Sequence, residues 1–275
     1  MNNFTSRTSS GIVFVVLIVG SILLSPFVFM GLMFFINLAG VIETNRLTLS
    51  PSAHVKRLHY NLFTNSLIFI LLALAGTGLL PQVWLLAGFL LVYVPLVVGL
   101  YQANHTTHNL HTAYWISLLY VTIPSGLLMY FFSQNILGDI AGPYLLLLML
   151  VLIWANDVFA YLTGIWLGKN RLFERISPKK SWEGAAGGLI MTLFVAWLVY
   201  YFSAFMPLWR LAGMAIVVVV SAIYGDLIES MLKRQAGVKD SGVLIPGHGG
   251  ILDRFDATFF ATPFVFVYLL FTSGL

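Results

Sequence analysis

The run AGPYLLLLMLVLIWANDVFAYLTGIWLG, residues 141–168, decides the fold, and Asp157 is its only charged residue. A bilayer's hydrocarbon core is about 30 Å thick and takes about 20 apolar residues as a helix. The run is long enough to cross it. Backbone groups find no water partner in lipid, so a chain crossing here must be helical. A lone aspartate inside such a span is either a hydrogen-bond partner in helix packing or part of a functional site.

Similar runs extend in both directions. Apolar segments separated by polar or charged clusters fall at about 11–25, 27–42, 61–80, 82–100, 112–132, 141–168, 184–202, 207–228 and 256–275. The expected architecture is therefore an all-α polytopic membrane protein with about nine transmembrane helices. No alternating ten-residue pattern suggests a β-barrel. Segments one and two meet at Ser25-Pro26 and are read as two helices, because one straight helix of that length is too long for a single span. The polar start with a single Arg7, and the absence of a small-residue cleavage pattern, favour a retained helix over a cleaved signal. Pro95 and Pro124 are expected to kink their helices.

Composition agrees: 59% of residues are hydrophobic and 9% charged, against about 25% charged in soluble domains. There is no cysteine, which excludes disulfides and thiolate metal sites. With nine spans and a cytoplasmic N-terminus, every Lys and Arg but Arg210 falls on one side. Cytoplasmic loops are enriched in these residues, so the expected topology is N-terminus inside and C-terminus outside. The chain divides into an N-terminal transmembrane region of about five helices, 1–135, and a C-terminal catalytic region, 136–275. The latter has cytoplasmic loops at 169–183 and 229–255.

Chemistry concentrates between Asp226 and Asp256, which hold five acids and four bases in a chain with ten acids in all. Asp226, Glu229 and Lys233 are spaced three and four apart and share a helix face; Asp253 and Asp256 do the same at the start of the last helix. Two carboxylate clusters on adjacent helix ends can meet, as a hard cation requires, and Mg²⁺ takes one or two carboxylates together with substrate phosphates. Between them Pro246-Gly247-His248-Gly249-Gly250 lets the backbone approach a ligand closely, and its amides suit phosphate oxygens. Lys233, Arg234, Lys239 and Arg254 supply cations for phosphate groups. The competing reading, a solvated basic loop snorkelling at the membrane edge, suits any one of these residues better than all of them. His105, His108 and His111 are regularly spaced, but the stretch carries no acid or cysteine to complete a metal site.

The pattern from Ser230 to Asp256 (Ser-x-x-Lys233-Arg234, four residues, Lys239-Asp240, then Pro-x-His248-Gly249-Gly250-x-x-Asp253-Arg254-x-Asp256) resembles the signature of the phosphatidate cytidylyltransferase (CDP-diacylglycerol synthase) family. A second stretch, Asn156-Asp157 through Gly168-Lys169 to Ser177-Pro178-Lys179-Lys180-Ser181-Trp182-Glu183-Gly184, resembles the family's central region. Ser181 stands where the family usually has Thr, and Val158 where it commonly has Thr or Ser. The resemblance is firm over about 140–275; the N-terminal half matches in hydropathy and in Glu43.

The resemblance implies transfer of CMP from CTP to phosphatidic acid, giving CDP-diacylglycerol and pyrophosphate. It further implies that Asp226 and Asp253 hold Mg²⁺, with Asp256 and Asp157 supporting it or a second cation. Lys179, Lys180, Lys233, Arg234, Lys239 and Arg254 would divide between triphosphate and lipid phosphate, while His248 would orient or protonate the pyrophosphate or shape its turn. Asp240 joins the catalytic set, and Ser177, Ser181, Glu183, Gly247, Gly249 and Gly250 the substrate-binding set. The expected partners are CTP, phosphatidic acid, the bilayer and a second copy in a homodimer, with no nucleic acid. The expected location is a bacterial inner membrane with the site facing the cytoplasm. The rivals are a CTP-dependent lipid kinase and, from another class, an ion-coupled transporter using Asp157 and Asp226.

Overall fold

A computed structural model describes residues 3–49, 51–86, 88, 91, 107–204, 206–245 and 249–273. Among these, seven helices are long and apolar enough to cross a bilayer. The long helices are α1 (Asn3–Leu24), α2 (Pro26–Thr48), α3 (Pro51–Gly76), α4 (His111–Phe132), α5 (Pro143–Leu167), α6 (Trp182–Ser203), α7 (Leu208–Gln235) and α8 (Leu252–Ser273). These account for eight of the nine expected segments. The ninth, 82–100, lies mostly outside the described residues, as does Pro95. The apolar part of α1, Ser9–Leu24, is the one shorter stretch among them.

The break between α1 and α2 has a local cause. Ser25 is extended (φ −172°, ψ 144°), its side chain accepts a hydrogen bond from Phe27 N at 3.2 Å, and Pro26 opens the next helix. Proline needs no amide donor in a first turn, so the chain stops and restarts there. Pro124 acts differently. Its missing N–H cannot complete the helical ladder, and the turn before it, Ser117–Thr122, is widened to π-helix before α-helix resumes at Ile123–Leu127.

Small residues set the closest helix contacts. Along α6 the buried positions are Gly184, Gly188, Thr192 and Ala196, a single stripe with a period of four. The stripe lies on α5 so tightly that a Cβ at Gly188 would sit 2.7 Å from Asn156 Oδ1. Close backbone approach of this kind is how helices associate where lipid removes the hydrophobic drive. The opposite face of α6 exposes Ile190, Phe194, Trp197 and Tyr201. In the N-terminal half, buried amides tie helices together: Asn61 Nδ2 donates to Asn45 Oδ1 at 2.7 Å, and Thr122 Oγ1 to Asn65 Oδ1 at 2.8 Å.

One apolar core runs through the whole bundle, from Ile18 and Met33 through Phe69, Val121 and Leu146 to Met214 and Phe259. This core draws residues from both expected regions.

The bundle is all-α as expected, and the α5–α6 loop adds one short hairpin. Strands β1 (Arg171–Phe173) and β2 (Ser177–Ser181) pair antiparallel, Arg171 opposite Ser181 and Phe173 opposite Ser177. The turn between the strands lies at 174–176, where Ile176 N bonds Phe173 O at 3.2 Å. A two-stranded edge tolerates Pro178, whose missing N–H need not be paired. Ser181 ends β2 and caps α6, its Oγ accepting from Gly184 N at 3.1 Å.

Candidate active site

Three carboxylates converge where α7 and α8 meet. Asp226 and Glu229 lie one turn apart on α7, Asp256 comes from the first turns of α8, and one oxygen of each lies within 4.8 Å of the others. The helices approach closely because Gly225 packs on α8: a Cβ there would lie 2.6 Å from Asp256 O. The Tyr120 hydroxyl, carried inward on the π-helical turn of α4, donates to Gly225 O at 2.9 Å. Single π turns recur at functional sites, and this one stitches the N-terminal half to the backbone beside the carboxylates.

Lysines from two directions neutralise the cluster. Lys180, on β2, pairs with Asp226. Lys233, one turn after Glu229, bridges Glu229 Oε2 at 2.5 Å and Asp253 Oδ1 at 2.7 Å. Glu229 is 1% exposed, and its second oxygen, Oε1, is buried with no hydrogen-bond partner. A buried carboxylate oxygen left unsatisfied is costly. With hard oxygen donors on three sides, that orphan oxygen fits a Mg²⁺-type cation.

Asp253, beside the cluster, has donors of its own. Its Oδ2 accepts from Ser241 N (2.9 Å), Ser241 Oγ (2.9 Å) and Gly250 N (2.8 Å), while Oδ1 holds Lys233. Among the described residues, the three carboxylates with oxygens close enough to share an ion are Asp226, Glu229 and Asp256, and Asp253 lines the same cavity. The loop that delivers these amides needs glycine. Gly249 has φ +84°, and a Cβ on it would lie 2.5 Å from Asp253 Oδ2. It also closes the loop end, accepting from Ile245 N at 3.0 Å. Gly247 and His248, with Pro246, lie outside the described residues.

Two cavities share Asp157 and Asp226. The first, about 380 Å³, is walled by charged side chains: the three carboxylates with Lys233, Arg234, Lys239, Asp240, Asp253 and Arg254. The second, about 700 Å³, lies between α5, α6, α7 and the hairpin. It combines Arg171, Lys179 and Lys180 with the apolar surfaces of Ala160, Ile165 and Ile223. Tyr161 and Ile165 on its wall are 68% and 60% exposed, which leaves one side of the cavity on the outer surface of the apolar helix α5.

The remaining candidates have local partners. Ser177 and Ser181 border the second cavity. Glu183 accepts from Lys169 N (3.1 Å) and Asn170 Nδ2 (2.7 Å), tying the hairpin's entry to its exit. Arg234 Nη1 donates to Val238 O at 3.3 Å across the turn after α7. Sequence reasoning left Glu229 out of the candidate set although its spacing pointed to it. It assigned no role to Glu43, an acid near the end of a membrane span. Tyr120 carried no signal, since nothing in the sequence announces a π turn.

Fold and site define an integral membrane protein with a buried acidic cluster, ringed by basic side chains, where two helix ends meet a loop. The chain belongs to the cytidylyltransferase family, whose model matches residues 5–272. Over 135 residues it is 45% identical to the phosphatidate cytidylyltransferase of Haemophilus influenzae, an alignment covering 47% of this chain and 46% of that one. It is 43% identical over 135 residues to the protein of that name from Synechocystis (47% and 44% covered). Against the one from Staphylococcus aureus it is 43% identical over 130 residues (47% and 50%). The matched stretch thus spans about half the length of these curated relatives.

Proposed function

We propose that this protein joins CTP to phosphatidic acid, forming CDP-diacylglycerol and releasing pyrophosphate. The observation that carries the reading is the pair of cavities meeting at Asp157 and Asp226. One is charged throughout and suits a triphosphate; the other combines cations with apolar, lipid-exposed walls and suits a phosphorylated lipid.

In this reading Lys239, Arg254 and Arg234 hold the triphosphate in the first cavity, opposite the carboxylates. Asp226, Glu229 and Asp256 would hold a Mg²⁺ ion, with Asp157 at its edge. The ion's chemistry is to neutralise charge on bridging phosphate oxygens. Lys179, Lys180 and Arg171 hold the lipid phosphate while the acyl chains leave past Tyr161 and Ile165 into the bilayer.

A phosphate oxygen of the lipid attacks the α-phosphorus of CTP. A new P–O–P bond forms there, and the bond between the α-phosphorus and the bridging oxygen breaks, with its electrons leaving on pyrophosphate. A phosphomonoester carries about −1.5 to −2 charge at pH 7, so no strong base is required. The obstacle is bringing two anions into line, and the side chains act by position and charge. Lys180 links the two cavities, since it lines the lipid side and pairs with Asp226 on the other. The site faces the cytoplasm, in keeping with the Lys and Arg bias of the loops.

The test uses purified full-length chain in liposomes containing phosphatidic acid, with Mg²⁺ and CTP labelled on either the α- or the γ-phosphate. Transfer of the α label to lipid is expected. Transfer of the γ label instead would establish the kinase reading, and no transfer of either would remove both.

A further inference from the structure

A second deeply buried carboxylate at this end of the molecule lies outside the cluster and outside the C-terminal half. Glu43 sits near the end of α2 and is 3% exposed. Its Oε1 accepts from Ile251 N at 2.9 Å, and its Oε2 from Leu252 N at 2.9 Å and Ser241 Oγ at 2.8 Å. The first two donors are amides at the start of α8, which have no partner within their own helix. A carboxylate normally caps such amides from the preceding residue in sequence. Here it comes from more than two hundred residues earlier.

The Ser241 hydroxyl extends the connection. It lies 2.8 Å from Glu43 Oε2 and 2.9 Å from Asp253 Oδ2 but has one proton, which the two carboxylates share. Asp253 in turn holds Lys233, and Lys233 holds Glu229. An unbroken chain of polar contacts therefore runs from Glu43 through Ser241, Asp253 and Lys233 to the carboxylate cluster. The loop backbone is moulded to it: a Cβ at Gly242 would lie 2.5 Å from Glu43 Oε1, and one at Gly250 would strike the same carboxylate.

We infer that Glu43 is a positioning residue for the transfer reaction, fixing Ser241 and the Ile251–Leu252 backbone and, through Ser241, the orientation of Asp253 and Lys233. The inference rests on the cytidylyl-transfer reading above. Glu43 touches neither cavity, so it acts on rate through the groups it holds. Replacement by glutamine keeps the size but turns one acceptor into a donor facing amides that are donors themselves.

The experiment measures kcat and KM for CTP and for phosphatidic acid with wild type, Glu43→Gln, Glu43→Asp, Ser241→Ala and the Glu43→Gln/Ser241→Ala double variant. All are purified in detergent and checked for monodisperse elution. Glu43→Gln is expected to lower kcat about 100-fold with both KM values within about threefold, and Ser241→Ala about tenfold. The double variant should be no slower than Glu43→Gln alone, because both changes cut one chain of contacts and act non-additively. Glu43→Asp, which keeps the charge, should recover at least tenfold over Glu43→Gln.

A Glu43→Gln protein within twofold of wild type overturns the inference. So do effects of the two single variants that simply multiply. If Glu43→Gln elutes as aggregate, Ser241→Ala decides alone, and an unchanged kcat in that variant overturns it. A wild type that transfers no label removes the function proposed above, a different outcome from any of these.

Discussion

Replacing Lys233 with methionine tests the electrostatics of the site most directly. Methionine keeps the length and apolar stem of lysine but removes the ammonium that faces two carboxylates, one 1% and the other 8% exposed. Removing one partner of a buried ion pair costs about 3–5 kcal/mol. The two pairs do not share this cost equally. Asp253 retains three hydrogen bonds, from Ser241 N, Ser241 Oγ and Gly250 N. Glu229 has Lys233 on Oε2 and no partner on Oε1, so nearly all the penalty falls there. Taking about 4 kcal/mol and about 2–4 °C per kcal/mol for a chain of this size, the melting midpoint should drop by roughly 8–16 °C. Thermal unfolding in detergent, followed by intrinsic tryptophan fluorescence, reads this shift. Adding Glu229→Gln to Lys233→Met should restore at least half of it, whereas adding Asp253→Asn should restore none, because asparagine would turn an amide donor toward existing donors. Equal rescue by both, or a midpoint within 3 °C of wild type for Lys233→Met alone, would refute the assignment of the cost to Glu229.

Chelation with EDTA should abolish label transfer and added Mg²⁺ should restore it; activity that persists in EDTA contradicts the cation reading of the three carboxylates. Asp256→Asn and Asp226→Asn should each lower kcat by at least about 100-fold, the scale of losing one electrostatic contact in the transition state, as measured by the α-label assay. Gly225→Val should destabilise strongly, because its Cβ would press on Asp256 O at 2.6 Å in a backbone contact that cannot yield; size-exclusion elution of the purified variant checks this. Ser181→Ala removes the cap of α6 and should cost about 1 kcal/mol, visible as a small drop in midpoint with CTP affinity unchanged in equilibrium binding.

The spans were readable wherever the signal was one-dimensional. Residues 141–168 announce a helix through length and apolarity, and α5 occupies nearly all of that run. Asp253 and Asp256 were placed correctly at the head of the last helix by their spacing and by the glycine loop before them. Sequence spacing could not say which carboxylate would meet which. Lys233 can reach both Glu229 and Asp253, and it bridges them across two helices. The hairpin at 171–181 was missed because a loop outside lipid is free of the rule that forces helix within it. Glu43 and Tyr120 reach the site across distances that no local pattern encodes: Glu43 bonds to residue 252 and Tyr120 to residue 225.

The capping of α8 by Glu43 also bears on how the protein is made. Synthesis runs from the N-terminus at about 5–20 residues per second, and Ile251 lies 208 residues after Glu43. The second helix therefore enters the membrane roughly 10–40 s before the amides that its carboxylate will bind exist. During that interval the carboxylate lacks the amide donors of the finished fold, and water must solvate it in their place. The eighth helix thus completes the assembly of the second. A ribosome stalled before residue 251 would leave behind a chain with most of its spans inserted and the Glu43 carboxylate still without its amide donors, a ready mark for membrane quality control.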